Sequence, residues 1–367
     1  MKSHLQIIRI EPHTDEWYEF RQNGIGGSEI GTVLNINKYD TAIRLFYEKL
    51  GVVPQRREDN ERMFWGRQME EHIAKMWRYY DGTKDGYVEN YKNDRLIRDC
   101  RSLNGYVVNP KYPWLFASVD RLINIKGGFN LISGEPLVEE AILECKNMGY
   151  WMSQIWEDGI PIYHLAQIHV YMAILETDYA EIAMLVDGAN LVVEKVQRDD
   201  ILIEKILKFS KDWWYERVVP AKEANMKKNL EDINGNIAEA ERQEAIIQRL
   251  EPEPDESAAY TDFMEERFLK IRETIEGTMQ LYAVAKRDKF LQRIKSKIDD
   301  ERTRLKNIFI QFLTNNNAEV IDFGKLGTIN WTTRKGAQSR TLTNKIKEKP
   351  DDDLIENQVR GLDHNIF

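Results

Sequence analysis

Cysteine is nearly absent from the sequence, with Cys100 and Cys145 the two examples among 367 residues. Two thiols cannot build a disulfide framework, and alone they cannot supply a four-cysteine zinc or iron–sulfur site. No apolar run approaches the roughly 18 residues that a membrane-spanning helix requires. The first residues also lack the apolar stretch of a signal peptide. We therefore expect a protein of the reducing cytoplasm that has no membrane association.

An excess of positive charge is also lacking. The chain has 52 basic and 61 acidic residues, which give a formal net charge of −9. This balance argues against a simple basic protein that coats DNA. It does not exclude an enzyme that acts on DNA, because a local basic groove can coexist with an acidic total. Glycine-rich phosphate loops are missing as well, so the sequence does not predict an ATP-driven helicase.

The residues that are present predict a globular protein with a sizeable core. Hydrophobic residues make up 42% of the chain and aromatic residues 10%, and the length predicts two domains or one large one. Residues 1–221 read as one compact mixed α/β unit. Strand-like runs lie at 106–108, 114–125, 141–147, 181–186 and 191–196, and helical patterns at 57–80, 162–176 and 201–217.

The composition changes after Pro220. Residues 222–260 are polar and acidic and include a Pro-containing break at 251–254, so we predict an acidic linker there. Residues 261–367 are predicted to form a helical region with a small hairpin at 320–333 and a mobile tail. Apolar residues with alternating three- and four-residue spacing, interrupted by Glu301, predict either one long helix or a helical hairpin. They are Leu291, Ile294, Ile298, Leu305, Ile308 and Phe312.

Two acidic residues on neighbouring predicted strands form the clearest candidate site. In the run Glu144-Cys145-Lys146, strand alternation places Glu144 and Lys146 on one face. Asp120 lies on a preceding predicted strand, and antiparallel pairing would bring it close to Glu144. Two neighbouring carboxylates repel each other unless a cation lies between them, and such oxygen ligands suit Mg²⁺ or Mn²⁺. An ordinary ion pair on an edge strand is the alternative interpretation.

Glu70 is a third candidate, because it shares a helix face with the apolar residues Ile73 and Trp77. A carboxylate on an apolar face needs a partner. The partner is either a metal ion or a basic side chain, and the spacing does not choose between them.

Five short motifs, in this order, resemble the YqaJ-type viral recombinase family, which includes the phage lambda-type exonucleases of the PD-(D/E)xK nuclease superfamily. The resemblance covers residues 15–220 approximately. The motifs are Trp17-Tyr18-Glu19-Phe20-Arg21 with Gly24-Ile25-Gly26-Gly27-Ser28-Glu29-Ile30, Gly66-Arg67-Gln68-Met69-Glu70, Ser118-Val119-Asp120, Leu143-Glu144-Cys145-Lys146 and Ala166-Gln167-Ile168-His169-Val170-Tyr171-Met172. The family name implies a proline before the aspartate, where this chain has Val119. The resemblance implies a restriction-endonuclease-like core, a central mixed sheet flanked by helices, with a mainly helical C-terminal extension.

The resemblance also implies roles for individual residues. Asp120, Glu144 and the backbone carbonyl of Cys145 would bind Mg²⁺ or Mn²⁺, and Glu70 would contact the metal or its water. Lys146 would be the catalytic lysine, and Gln167 would support the lysine or the attacking water. Arg21 and Ser28 match positions that bind a 5′-phosphate, and Ser28 is also a plausible helix N-cap.

The implied activity is that of a metal-dependent deoxyribonuclease, a 5′-to-3′ exonuclease on linear double-stranded DNA in phage-type recombination by single-strand annealing. Double-stranded DNA ends, a single-strand annealing protein and further copies of the chain are the expected partners. The expected location is the cytoplasm of a bacterial host, with a phage or prophage as the source of the gene. An endonuclease of the same superfamily and a non-catalytic DNA-end-binding or scaffold protein remain as alternatives.

Overall fold

The computed structural model describes residues 2–55, 61–156, 159–268, 276–333 and 340–346. The chain divides into two compact units, Met1–Lys270 and Ile271–Phe367. The helices are α1 Asp15–Gln22, α2 Ile30–Val33, α3 Ala42–Lys49, α4 Glu61–Trp77, α5 Lys84–Lys92, α6 Tyr150–Ile155, α7 Ile162–Leu175, α8 Asp200–Asp212, α9 Val219–Asn234, α10 Ile237–Leu250, α11 Ala258–Phe268 and α12 Met279–Asn315. A π-helical segment, Trp213–Val218, joins α8 to α9.

The strands form three sheets. They are β1 Gln6–Ile8, β2 Ile25–Gly26, β3 Cys100–Arg101, β4 Tyr106–Val108, β5 Leu115–Ala117, β6 Arg121–Ile123, β7 Ala141–Met148, β8 Tyr179–Val186, β9 Asn190–Gln197, β10 Val320–Asp322, β11 Gly327–Thr333 and β12 Arg340–Ile346. The first unit contains a four-stranded sheet in the order β1-β4-β5-β2 and a five-stranded sheet in the order β3-β6-β7-β8-β9. This mixed α/β architecture, with a helical region following it, confirms the predicted fold class.

The five-stranded sheet positions the candidate site. Strands β6 and β7 are antiparallel, and Arg121 pairs with Leu143, so Asp120 lies beside Glu144 as the sequence predicts. Strands β7 and β8 are parallel, and the chain between them forms α6 and α7. Strands β6 and β8 flank β7 on its two sides, so β7 is not an edge strand, although Lys146 and Glu144 do form the ion pair of the alternative interpretation.

Strand β7 lies between two helices, and its alternation decides which residues face each one. Leu143 and Cys145 pack in a buried cluster with Ile73 and Trp77 of α4. Ile142, on the opposite face, belongs to the cluster that includes most of α7. Glu144 and Lys146 share this second face. The site therefore lies between β7 and α7, with the apolar packing of α4 behind it.

The prediction of an acidic linker over 222–260 is wrong. Helices α9 and α10 pack against each other, and the first unit extends to Lys270. Four small or apolar residues, Ala224, Ala240, Ile247 and Phe263, are buried in its core. The charged residues of these helices lie on the outside, and a narrow buried stripe containing alanines leaves little hydrophobic pattern in the sequence.

The second unit contains α12 and the three-stranded sheet β10-β11-β12. The predicted hairpin over 320–333 is confirmed, and β12 extends it with seven antiparallel pairs. Leu313 of α12 and Ile329 of β11 are the two apolar residues fully buried within the described part of this unit. The apolar residues Ile271 and Ile275 and the tail after Ile346 lie outside the described residues. Among the helices described, none is long and apolar enough to cross a membrane.

Candidate active site

Glu144 is the centre of the candidate site. Its side chain is buried, with 3% of the residue exposed. One carboxylate oxygen, Oε1, accepts hydrogen bonds from Lys146 Nζ at 2.7 Å and from Gln167 Nε2 at 3.0 Å. The other oxygen, Oε2, is buried and has no hydrogen-bond partner among the described residues. Because a buried carboxylate oxygen without a partner is costly, this atom marks a position where a cation would be stabilised.

Asp120 lies directly before β6, and its carboxylate is held by the main chain of β7. Its Oδ2 accepts a 2.8 Å hydrogen bond from the N–H of Cys145. Burial and the negative charge of Glu144 raise the pKa of Asp120 well above its usual value, against the opposing effect of Lys146. The two carboxylates therefore lie within electrostatic reach of each other, and the site as it stands has an excess of negative charge.

Lys146 is positioned by its strand to face Glu144. Burial alone would lower the pKa of the lysine, but the charges of Glu144 and Asp120 outweigh it and raise the pKa above its usual value. The ammonium group is thus protonated at neutral pH. A cavity of about 690 Å³ reaches Lys146 from the surface, and the aromatic residues Tyr39, Trp65 and Trp156 line it. The lysine therefore faces an open, aromatic-walled space large enough for part of a nucleotide.

Gln167 connects α7 to the acidic pair. Its Nε2 also donates to the hydroxyl of Tyr171 at 3.1 Å, one turn further along the helix. The ring of Tyr171 lies so close to Gly27 that a Cβ on that glycine would stand 2.2 Å from the ring carbon Cε1. Glycine at position 27 is therefore required by the packing of Tyr171, and this contact links the glycine-rich motif to the acidic site.

Glu70 lies near the acidic pair but is bound by arginine. Arg121 NH1 donates to Glu70 Oε1 and, at 2.5 Å, to the carbonyl of Asp120, and its NH2 bonds Glu71 Oε2 at 2.8 Å. The charge of Glu70 contributes to the raised pKa of Asp120. Glu70, Asp120 and Arg121 also line one cavity of about 580 Å³. The structure thus brings Glu70 to the site in contact with a basic side chain.

The donor set fits a hard divalent cation. Asp120 and Glu144 supply carboxylate oxygens, and the carbonyl of Cys145 is a third candidate ligand beside them, which is the chemistry that Mg²⁺ and Mn²⁺ prefer. Within the described residues, no three His, Cys, Asp or Glu side chains form a ready metal cage by themselves. A cation held here would complete its shell with main-chain oxygen and water, which is usual for Mg²⁺.

Arg21 and Ser28 line a third cavity, of about 310 Å³. Arg21 pairs with Glu29, and Lys49 Nζ bonds Glu29 Oε2 at 2.7 Å and the carbonyl of Arg21 at 2.7 Å. Lys49 is completely buried. The guanidinium group of Arg21 also stacks over the ring of Trp17, 5.0 Å from the ring centroid. The two residues predicted to bind a phosphate therefore come together, and two cations share the single carboxylate of Glu29.

The interpretation of Ser28 as a helix N-cap is wrong. Gly26 is the residue that precedes the 3-10 turn Gly27–Glu29, and Ser28 lies inside that turn with an exposed side chain. The carboxylate of Glu29 accepts the N–H of Gly26 at 2.8 Å and so performs the capping. The Ser28 hydroxyl is not used to cap the turn and faces the cavity.

Sequence reasoning missed four residues that hold the site together: Glu29, Lys49, Arg121 and Tyr171. Glu29 and Tyr171 lie inside the motifs quoted above, but the spacing of those motifs does not show which residues contact them. Lys49 is surrounded in the sequence by the apolar residues Phe46, Tyr47 and Leu50, and a lysine in such a run is the one available signal of a buried cation. Arg121 follows Asp120 directly and has no comparable signal.

The comparisons with known proteins agree with these motifs. Residues 16–180 match the model of the YqaJ-like viral recombinase domain. The protein YqaJ of Bacillus subtilis (strain 168), which is described as uncharacterized, is 30% identical over 212 residues. That match covers 57% of this chain and 58% of the relative, so the chain spans little more than half of the relative's length.

The chain is also similar to solved structures, two of which are described as exonucleases. The alkaline exonuclease LHK-Exo from Laribacter hongkongensis is 17% identical, covers 61% of this chain and 98% of its own, and has a TM-score of 0.40. The phage-related exonuclease from Haemophilus somnus 129PT is 13% identical, covers 51% and 90%, and has a TM-score of 0.33. The match to the family model shows that residues 16–180, which carry Glu144 and the other candidate site residues, are similar to the YqaJ-like viral recombinase domain.

Proposed function

We propose that this protein is a divalent-metal-dependent DNA nuclease that degrades linear double-stranded DNA from its 5′ ends and leaves single strands for annealing. The observation that carries the proposal is the state of Glu144. Its Oε1 is held by Lys146 and Gln167, while its buried Oε2 has no partner in the described part of the chain. Its neighbour Asp120 is a second carboxylate, half-buried in the same site. Such a pair is unfavourable by itself and becomes favourable with Mg²⁺ or Mn²⁺.

Each side chain then has a defined part in phosphodiester hydrolysis. Asp120 and Glu144 would hold a divalent ion, with the carbonyl of Cys145 as a third ligand. Such an ion would polarise the scissile phosphate and lower the pKa of an attacking water. Lys146 keeps its proton at Nζ and directs positive charge toward the phosphate, where negative charge increases during the reaction. Gln167 fixes the rotamer of Glu144, so the carboxylate does not need to reorganise.

Arg21 and Ser28 support recognition of the DNA end. A guanidinium and a hydroxyl in one cavity suit a terminal phosphate, which an Arg binds in bidentate geometry. Lys49 neutralises part of the charge of Glu29, so Arg21 retains positive potential despite its own contact with that carboxylate. A 5′-phosphate held here would fix the position of the chain end relative to Glu144, as an exonuclease requires.

Two further parts of the proposal concern partners. We propose double-stranded DNA ends as the substrate and a single-strand annealing protein as the consumer of the product, because resection leaves a strand that must pair. The alternative of a non-catalytic scaffold is not favoured, because Asp120, Glu144 and Lys146 are all present. The alternative of an endonuclease of the same superfamily can be distinguished from an exonuclease by the kind of DNA that the protein cleaves.

The test is digestion of end-labelled linear duplex and covalently closed circular DNA, with Mg²⁺, with Mn²⁺ and with chelator. We expect the linear DNA to lose its 5′ label as mononucleotides and the closed circles to persist, with no cleavage in chelator. Circles that are cut as fast as linear DNA would establish the endonuclease instead. Undiminished cleavage in chelator would overturn the metal-dependent mechanism.

A further inference from the structure

Helix α12 presents an apolar stripe to solvent. The stripe, called here the α12 seam, alternates three- and four-residue steps and is made of Leu291, Ile294, Ile298, Leu305, Ile308 and Phe312. Between 38% and 55% of Leu291, Ile298, Leu305, Ile308 and Phe312 is exposed. Such spacing places a row of apolar residues at the a and d positions of a heptad, which is the pattern that packs one helix against another.

Within the described part of the second unit, only the end of α12 is covered. Leu313 is fully buried, and the helix contacts β11 of the three-stranded sheet. The middle of the seam instead borders a groove of about 390 Å³, lined by Phe290, Ile294 and Ile298 together with Arg293 and Lys297. Long basic side chains cover apolar surface with their stems and keep their charges in water. The groove thus has an apolar floor and a charged rim.

Two charged residues occupy positions in the heptad where an apolar residue would be expected. Arg287 and Glu301 are both d positions, and they lie at equal distances on either side of Ile294, since 294 − 287 = 7 and 301 − 294 = 7. In a parallel, in-register pair of α12 helices, each residue would face its own counterpart, so Arg287 would meet Arg287 and Glu301 would meet Glu301. That arrangement buries two like-charged pairs and is disfavoured.

We propose that α12 pairs antiparallel with the α12 helix of a second copy of this chain. With the two helices reversed around Ile294, Arg287 of each copy comes within one helical turn of Glu301 of the other, about 5 Å along the axis. The two-fold axis makes this contact twice. The apolar groove at Ile294 and Ile298 then lies at the centre of the interface, where two copies of the same surface bury each other.

The charges that flank the seam favour the same direction. In a parallel pair, Lys297 would face Arg302 of the second copy at a flanking position, which is repulsive. In the antiparallel pair centred near Ile294, Asp288 lies beside Arg302 of the second copy, and this attractive contact occurs twice, while Lys295 lies near its own counterpart across the two-fold axis. The symmetric placement of opposite charges is what identifies the occupant as a second copy, since an unrelated partner has no need of it.

The charges already have contacts within α12, and these are weak. Arg304 bonds Glu301 at 2.6 Å, and Lys297 lies 3.8 Å from Asp300. Arg287 lies over the ring of Phe290, 5.6 Å from its centroid. Exposed pairs one turn apart on a helix contribute little to stability, so exchanging them for contacts across an interface costs little. The inference concerns assembly and is independent of the proposed nuclease activity.

The test is a charge-exchange series on the full chain, followed by sedimentation velocity over a range of concentrations. The variants are Arg287→Glu, Glu301→Arg and the double variant that carries both changes. We expect the wild type to self-associate through pairing of the α12 helices. Each single variant should weaken this association and raise its dissociation constant by about tenfold or more. The double variant should return to within about threefold of the wild type, because the antiparallel contact is restored with the charges exchanged.

Two further variants make the result decisive. Ile294→Asp places a charge at the centre of the interface and should abolish the step, while far-UV circular dichroism confirms that the helix is retained. Lys289→Glu, on the exposed opposite face of α12, is the matched control and should leave the dissociation constant unchanged. A wild-type chain without this association step overturns the proposal, as does a step that Ile294→Asp leaves intact. Single variants that match the wild type, or a double variant weaker than either single one, overturn the antiparallel orientation.

Discussion

The main-chain N–H of Cys145 donates a 2.8 Å hydrogen bond to Oδ2 of Asp120. This bond fixes the aspartate carboxylate to the backbone of β7, one residue from Glu144, and no side-chain donor is needed to hold it. An asparagine can keep the same bond through its own oxygen. The candidate ligands can therefore be neutralised individually while the local geometry of the site is kept.

We expect Asp120→Asn and Glu144→Gln each to reduce DNA cleavage by about a thousandfold or more, equal to about 4 kcal/mol of lost transition-state stabilisation. The reason is that each change removes a charged ligand from a site that depends on two. In chelator both variants should melt at or above the wild-type temperature, because removing one charge relieves the repulsion that raises the pKa of Asp120.

Two measurements test these two variants. One is the release of end label, and the other is thermal unfolding without Mg²⁺ and at Mg²⁺ concentrations that increase in 10-fold steps. Mg²⁺ should raise the wild-type melting temperature and leave that of both variants unchanged, since only the wild type holds the ion. Glu135→Gln, an exposed change in the loop between β6 and β7, is the control. Near-normal cleavage by Glu144→Gln would falsify the assignment of Glu144 as a ligand.

Lys146 is expected to act on the phosphate and not on metal binding. Lys146→Met should abolish cleavage, because it removes the positive charge that is proposed to stabilise the phosphate as negative charge increases there. The same variant should keep the Mg²⁺-dependent rise in melting temperature, since the carboxylates remain. Lys146→Arg tests whether charge alone suffices, and we expect less than a tenth of the wild-type rate from its different geometry. Loss of the Mg²⁺ effect in Lys146→Met would show that the lysine organises the ligands instead.

The acidic pair could be predicted because strand alternation is local. Knowing that 141–147 is a strand suffices to place Glu144 and Lys146 on one face, and antiparallel pairing then brings Asp120 beside them. The contact of Glu70 with Arg121 could not be predicted, since it joins a helix to a strand 51 positions away. The sequence left both a metal ion and a basic side chain open as partners of Glu70, and the structure shows the arginine.

The helices α9 and α10, at the C-terminal side of the first unit, could not be predicted for a different reason. The acidic composition of 222–260 suggested a linker because α9 and α10 bury few and mostly small residues, such as Ala221, Ala224 and Ala240. Alanine contributes little to a hydrophobic pattern, although it allows helices to approach closely. The burial of Lys49 could not be predicted either, because its partners Glu29 and Arg21 come from another part of the chain.

The pH dependence of stability should report on Glu29. Burial raises the pKa of this carboxyl, but Arg21 and Lys49 outweigh it and hold the pKa at about 2, below its usual 4.5. A lowered pKa contributes stability that is complete above pH 4.5 and is lost as the pH falls toward 2, here about 3 kcal/mol. We therefore expect Glu29→Gln to be destabilised most at neutral pH and its difference from wild type to shrink below pH 4.5.

Urea unfolding at several values between pH 7 and pH 2.5 measures this difference, provided that both proteins unfold in a two-state manner. The exposed residue Glu19 offers a control, because Glu19→Gln should show no such pH-dependent gap. A difference between Glu29→Gln and wild type that stays constant across this range would show that Glu29 contributes through packing and not through its charge.

Arg21 should determine the preference for phosphorylated ends. We expect linear duplex with a 5′-phosphate to be degraded faster than the 5′-hydroxyl form, and Arg21→Gln to remove most of that ratio by losing a charge-assisted contact of about 1.5–3 kcal/mol. Initial rates on the two substrates give the ratio, and Lys195→Gln on the exposed face of β9 is the control. An unchanged ratio in Arg21→Gln would place the phosphate site elsewhere.

The boundary of the first unit gives the last prediction. A chain that ends at Lys270 should fold and keep metal-dependent cleavage of short duplexes, because it contains the whole first unit. A chain that ends at Lys222 should not fold, since it loses Ile247 and Phe263, two buried core residues.

Three contacts that tie the missing segment to α3 and to the π-helical segment would be lost as well. Asp255 accepts from Thr41 at 2.6 Å, the Glu251 carbonyl accepts from Arg217 at 2.6 Å, and Asn225 donates to the carbonyl of Leu50 at 3.2 Å. Each large apolar residue removed from a core costs about 3 kcal/mol, so the loss is comparable to the whole stability of a typical domain, about 5–15 kcal/mol. Far-UV circular dichroism and thermal melting of the two chains decide the matter. A cooperative transition in the shorter chain would mean that α9 to α11 are dispensable, and that the nuclease fold ends where the composition of the sequence changes.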